Sequence, residues 1–198
     1  MESKPYHHGN LRNKLIEAGI ELISEEGVSH FSLRKVAVKC GVSHTAPYSH
    51  FENIEALKLA MGEHVTEKFA DALKVSVQGE PDHFIRVRLM GKAYIRFFSE
   101  NPHYFQFLFY HSGVAIDFDR DQADCRDGEY EPLAVFKAEA FKLFAEMNLP
   151  EAGYANNLLA LWSMVHGIVS LLTNKRVSYS GSWEDVLVDN MFVGREIG

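Results

Sequence analysis

The chain has 198 residues, 46% of them hydrophobic and 24% charged, with a net charge of −7. This is ordinary globular composition, long enough for one or two domains with a real core. No continuous apolar run reaches the roughly 18 residues that span a bilayer, and Met1 to His8 lacks the apolar segment of a signal peptide. Cys40 and Cys125 stand far apart in no metal-binding spacing, which fits a reducing, cytoplasmic setting.

The negative charge is unevenly spread. Residues 1–60 carry seven Lys or Arg against seven Asp or Glu, so the whole −7 falls on the remainder. Five of the ten histidines also lie in the first 60 residues. The front is thus compatible with a polyanion and the back repels one, a polarity that favours docking one way round.

Met1 to Gly9 reads as a loose arm, in which Lys4, His7 and His8, with Arg12 beyond, could touch phosphate. Paired histidines without a third ligand do not make a metal site, and none is expected. The first helix is expected from an N-cap at Asn10 to Glu26. Leu11, Leu15, Ala18 and Leu22, with Ile16, Ile20 and Ile23, form its apolar stripe, and Gly27 is its exit. Val28, Phe31, Phe51 and Leu57 are expected to close a three-helix core.

Residues 32–51 have the pattern of a helix-turn-helix. Ser32 is the expected N-cap, Leu33, Val36 and Ala37 share one face, and Gly41 leaves through the left-handed region. Val42 plugs the corner, with Ala37 small enough for two helices to meet steeply. Ser43 is expected to cap a second helix over His44–His50. Ser43, His44, Thr45, Tyr48 and Ser49 then face outward as short or flat hydrogen-bonding groups that suit base edges and phosphates.

A fourth helix, capped by Asn53, is expected from Ile54 to about Val77 as a connector to the back, and Gln78–Pro81 breaks it. Asp82 caps a fifth helix over His83–Glu100, and Asn101-Pro102 divides it from an aromatic sixth over His103–His111. Ser112 to Tyr130 is polar and acidic, with Asp117, Asp119, Asp121, Asp124 and Asp127 in no EF-hand order, so a solvated loop is expected. The seventh helix spans Pro132–Met147. The eighth, Glu151–Asn174, is apolar nearly all round and has both a core and a partner to bury. The ninth spans Trp183–Gly194. Ten of the 14 phenylalanines fall between Phe84 and Phe144. No phosphate-binding loop, nucleophile elbow, His-Glu-x-x-His or Cys-x-x-Cys motif is present, so no enzyme and no cofactor is expected. Cys40 reads as a small residue packed in the turn rather than a redox switch.

The run from Leu11 to Leu57 resembles the DNA-binding domain of the TetR family of transcriptional regulators. The resemblance is carried by Ile16, Ala18, Gly27, Ser32–Ala37, Cys40–Ser43, Tyr48, His50-Phe51, Asn53 and Glu55–Leu57. Trp162, His166 and Gly167 are similar to a subfamily named for a Trp-His-Gly motif. The resemblance implies an all-α fold, with a DNA-binding domain over residues 1–57 and a helical ligand-binding and dimerisation domain over 58–198. It implies a homodimeric regulator, a repressor, that pairs through its last two helices and binds a palindromic double-stranded operator until released by a small apolar or aromatic effector. It assigns Arg34, Ser43, His44, Thr45, Tyr48 and His50 to DNA, with Tyr48 and His50 on phosphates and His44 and Thr45 on base edges. Phe98, His103, Phe107, His111, Trp162 and His166 are expected to line the effector cavity. Ile54 stands where the family usually has Lys, and Pro47 where it has Leu or Ile. Together with the neutral front, Ile54 keeps open the alternative of a small-molecule binding protein that has lost specific DNA binding.

Overall fold

The computed structural model describes residues 8–118, 130–174 and 176–190. Among them there are eight α-helices and no strand: α1 His8–Glu26, α2 Leu33–Lys39, α3 Ile54–Ser76, α4 His83–Glu100, α5 Pro102–Tyr110, α6 Glu131–Glu146, α7 Tyr154–Leu172 and α8 Trp183–Asn190. The all-α expectation holds. The arm before His8, most of the acidic span, Cys125 and the end of the ninth predicted helix lie outside the described residues. The chain divides into two units, Met1–Val65 with His103–Val114, and Thr66–Pro102 with Ala115–Gly198.

The helix boundaries follow from local chemistry. Ser32 Oγ accepts from the Lys35 amide at 3.3 Å, Asn53 Oδ1 from Ala56 at 2.9 Å, and Asp82 Oδ1 from Ile85 at 2.9 Å. Each satisfies an amide that has no partner inside its helix. One expected cap fails: α1 begins at His8, so Asn10 lies within the helix, because its hydrogen-bonded turns continue past the capping residue.

In the first unit, α1 and α3 bury Leu15, Ile16, Ile20, Leu57 and Met61 almost completely. Gly19 sits at the closest approach, where a Cβ would meet Met61 Sδ at 2.9 Å. Nearby, the Glu17 carboxylate accepts from the Tyr104 hydroxyl of α5 at 2.7 Å and pairs with His64 Nε2 of α3 at 2.8 Å. Three helices of this unit therefore meet on one half-buried acid.

In the second unit α4 is central and packs against α6, α7 and α8. Its core is aromatic. The Trp162 indole of α7 meets Phe69, Tyr94, Phe118, Tyr130 and Phe136, all edge-on, at centroid distances of 5.2–6.4 Å. Edge-to-face packing suits the ring quadrupole and adds to the burial term. Glu139 of α6 is nearly buried and accepts from Arg86 Nε at 2.7 Å, His83 Nδ1 at 3.0 Å and Lys142 Nζ at 3.0 Å. Burial acts to raise its pKa, but these donors outweigh it and bring the carboxyl down to about 2. Arg86 also donates to the carbonyls of Val77 and Glu80, which ties down the link between α3 and α4.

The segment Glu151–Leu172 carries only one charge, Glu151. It is long and apolar enough to cross a membrane by length and mean hydropathy, 1.4, although run length alone gave no such stretch. Core helices pass the same test. Here α7 buries Leu158, Leu161, Trp162, Val165, Ile168 and Val169 on one side, while Leu159 and Leu171 are 44% and 49% exposed.

Candidate nucleic-acid interface

The corner after α2 is built from backbone. Gly41 has φ +68°, its amide donates to Val38 O at 3.0 Å, and the Val42 amide donates to Ala37 O at 3.0 Å. This paired closure is the Schellman arrangement, which needs a left-handed residue where a Cβ is disfavoured. Ala37 and Val36 are fully buried beneath it.

Beyond the corner, the chain departs from the expected α-helix over His44–His50. Residues 46–49 form a turn of 3₁₀ helix. Ala46 N donates to Ser43 O at 3.0 Å, Tyr48 N to Thr45 O at 3.2 Å and His50 N to Pro47 O at 3.0 Å, all three residues back. The cause is Pro47. In a helix starting at His44, the first intrahelical bond would run from residue 47 to Ser43 O, and proline has no N–H to make it. Its ring is buried and fills the apolar corner as expected. Ser43 is not the helix cap that its position implied: its hydroxyl is paired with Thr45 Oγ1 at 3.1 Å.

Arg34, Ser43, His44, Thr45 and Tyr48 are exposed, Tyr48 by 60%, and His50 is half-buried with its ring tilted against Phe51. All six belong to the first unit, and five of them lie within the single turn from Ser43 to His50. The surrounding cations divide into two sets. Lys39 bonds Glu25 at 2.8 Å and Glu21 at 3.3 Å, Lys35 bonds Glu26 at 2.5 Å, and Lys58 bonds Glu55 at 2.9 Å. The hydrogen bond that Lys39 donates to Glu25 holds the Lys39 pKa above its usual value, and the one from Lys35 holds Glu26 below its own. Arg12, Lys14 and Arg34 make no ion pair among the described residues; Arg12 lies over the Phe51 ring at 5.4 Å. The Lys35 and Lys39 pairs fasten α2 to the last turns of α1, whereas Lys58–Glu55 lies within α3, features invisible to charge counting. Cys40 donates weakly to Lys14 O at 3.4 Å, and burial raises its thiol pKa.

The six residues expected to line an effector cavity fall in two groups. Phe98, Trp162 and His166 are in the second unit, where Phe98 and Trp162 both pack on Phe69 and Tyr94, and His166 Nδ1 meets the Tyr94 hydroxyl at 3.0 Å. Burial lowers the His166 pKa and favours the neutral ring. His103, Phe107 and His111 belong to the first unit; Phe107 is buried, His103 packs on Tyr104, and His111 is exposed. Sequence reasoning passed over Tyr94 and Tyr130, both buried against Trp162. Tyr94 lies on α4, while Tyr130 precedes α6 in extended backbone, where no helical periodicity points to it.

Comparison with known proteins agrees with this geometry. Residues 15–61 match the family model of bacterial regulatory proteins, tetR family, and residues 87–192 match the tetracyclin repressor-like C-terminal domain. Among curated proteins, the nucleoid occlusion factor SlmA of Vibrio cholerae is 28% identical over 114 residues, 57% of each chain. SlmA of Edwardsiella ictaluri is 25% identical over 127 residues, 64% of this chain and 63% of that one. The chain therefore spans less than two thirds of the length of these relatives. Among solved structures, a Rhodococcus sp. RHA1 protein of unknown function superposes with a TM-score of 0.72 at 23% identity, covering 94% of both chains. The TetR family regulator PfmR of Thermus thermophilus gives 0.63 at 19% identity, covering 87% of this chain and 92% of that one. At those identities the structural likeness shows the fold. The family is one of regulators rather than enzymes. Since the C-terminal match alone takes in more than half of the residues and the N-terminal match frames the corner at Gly41, the chain belongs to the TetR family of bacterial regulatory proteins.

Proposed function

We propose that this protein is a DNA-binding transcriptional regulator, a homodimeric repressor that leaves its operator when a small apolar or aromatic effector binds the back of the chain. The observation that carries the reading is the turn from Ser43 to His50. It leaves Thr45 and Tyr48 exposed in the same unit as exposed Arg34, a cation not committed to an acid among the described residues. Tyr48, His50 and Arg34 are assigned to phosphates, His44 and Thr45 to base edges, with Ser43 orienting Thr45 through their 3.1 Å contact. Residues 1–57 would form the DNA-binding domain and 58–198 the regulatory one.

The dimer is supported by the outer side of α7. Leu159, Ala160, Ser163 and Leu171 are exposed there, and a Cβ at Gly167 would meet no atom within 4 Å. Packing within the chain does not require that glycine, whereas a second copy of α7 crossing closely would. Trp162, His166 and Gly167 support membership of the Trp-His-Gly subfamily. The effector reading is supported by Phe98, Trp162 and His166, which share the Phe69–Tyr94 aromatic cluster; the roles of His103, Phe107 and His111 remain part of the proposal. Swinging a 1:99 population of DNA-free to DNA-bound forms to 99:1 takes roughly 5.5 kcal/mol of differential effector binding, which calls for extensive apolar burial.

The test is footprinting on the DNA flanking the protein's own coding region at low salt. The expected result is protection of a two-fold-symmetric site with half-site centres about 34–36 Å apart. Absence of any protected symmetric site would overturn the reading. The pairing of Lys35, Lys39 and Lys58 with glutamates favours a second reading, a small-molecule binding protein without specific DNA affinity. Under it, the double variant Arg34→Ala, Tyr48→Ala would leave the protein's cellular effect intact.

A further inference from the structure

Two tyrosines press edge-on against the Trp162 indole. Tyr94 is 1% exposed, and its hydroxyl is satisfied by His166 Nδ1 at 3.0 Å. Tyr130 is 5% exposed, its ring stands 6.2 Å from Trp162 at 81°, and its buried hydroxyl has no hydrogen-bond partner among the described residues. Only one other buried side-chain polar atom among the described residues is in that position, Arg88 Nε, whose guanidinium lies over the Phe84 ring. Leaving a buried hydroxyl unsatisfied costs about 1–3 kcal/mol, and a phenylalanine would avoid the cost at the same volume. A hydroxyl kept there without a partner among the described residues points to a partner that arrives from outside.

We infer that Tyr130 is the polar anchor of a small-molecule site in the second unit, and that the occupant is a flat, uncharged molecule carrying a hydrogen-bond acceptor such as a ketone or amide carbonyl. This deepens the effector proposal and takes its biological meaning from it. Flatness follows from the neighbours. Trp162 meets Phe118, Tyr130 and Phe136 edge-on at 5.9–6.2 Å, so the Tyr130 ring belongs to a cluster of aromatic surfaces that suit another ring. The acceptor follows from the phenol, which burial keeps protonated and thus a donor. The absence of charge follows from desolvation, because a carboxylate buried among rings against one neutral donor would lose far more hydration than that bond returns. A lone water is a poor substitute, since it needs two to four polar partners and ring faces offer few.

The test uses the full chain and a matched pair of probes, 2-acetylnaphthalene and 2-isopropenylnaphthalene, in which a CH₂ group replaces the carbonyl oxygen. Calorimetric titration should show the ketone binding wild type about tenfold more tightly than the alkene. In Tyr130→Phe the two should agree within about twofold. Unliganded Tyr130→Phe should melt at or above the wild-type temperature, whereas Tyr94→Phe, which removes the hydrogen bond to His166, should melt below it. No ketone preference in wild type, absence of binding included, overturns the inference. So does a Tyr130→Phe protein that melts lower than wild type. These readouts do not involve DNA. A ketone preference in a protein that protects no operator therefore upholds the anchor while the regulator reading falls.

Discussion

The first unit turns its sharpest corner on Gly41 and Ala37, closes it with two backbone hydrogen bonds, and leaves Ser43, His44, Thr45 and Tyr48 at the surface. The second unit surrounds one indole with five other rings, and its principal carboxylate, Glu139, is nearly buried among an arginine, a histidine and a lysine. The contrast extends to the acids. Glu17 in the first unit is one third exposed and takes a phenol and an imidazole; Glu139 is 9% exposed and takes two permanent cations. Geometry set by backbone needs little buried area, so the side chains of the turn after Gly41 can stay exposed. Geometry set by ring packing needs a dry interior, and there a polar group must find a partner or mark a site.

Four experiments would break or sharpen this contrast. Trp162→Ala removes the hub of five ring contacts and should cost about 3–5 kcal/mol in denaturant unfolding; a loss under about 1 kcal/mol would show that the rings repack freely. Next comes acid. Glu139 has its pKa lowered from 4.5 to about 2, so its stabilisation is complete above the unfolded value and is lost as pH falls from about 4.5 towards 2. Roughly 3 kcal/mol should disappear across that window in urea titrations, and Glu139→Gln should flatten the dependence. Gly41→Ala forces a Cβ into the left-handed region and should cost about 1–2 kcal/mol. It should also weaken DNA binding more than its stability loss explains, if the corner aims the following turn. Arg34→Ala should shift stability by less than about 0.5 kcal/mol. On the DNA-binding reading, it should lower the slope of log affinity against log salt by about one.

Much of the fold was legible because it is encoded locally. Ser32, Asn53 and Asp82 each cap the next helix with their own oxygen, and Gly41 takes the one conformation that justifies it. The bounds of α4 follow from Asp82 at one end and Asn101-Pro102 at the other. The second element of the corner departs from its helical expectation, since the hydrogen bond that Pro47 removes is not peripheral but the one that nucleates an α-turn. Gly19 was passed over because its meaning lies in Met61, 42 positions away. The Glu17–His64–Tyr104 and Glu139 clusters were equally hidden, since no spacing within one helix announces a partner from another. Aromatic counting found the ring-rich region but not its division, so Phe98, Trp162 and His166 were grouped with His103, Phe107 and His111 of the other unit.

On the DNA-binding reading, the 3₁₀ turn sets the footprint of the reading head. At three residues per turn, side chains at i and i+3 eclipse, which aligns Thr45 with Tyr48 in one column instead of fanning them around a cylinder. With about 2 Å of rise per residue, the two are separated by about 6 Å along the axis, close to two base steps of roughly 3.4 Å each. An operator read by such a column would be demanding at one or two adjacent positions in each half-site and permissive on either side. Replacing Pro47 with leucine, which restores the missing amide, should broaden the stretch of each half-site at which base substitutions are felt.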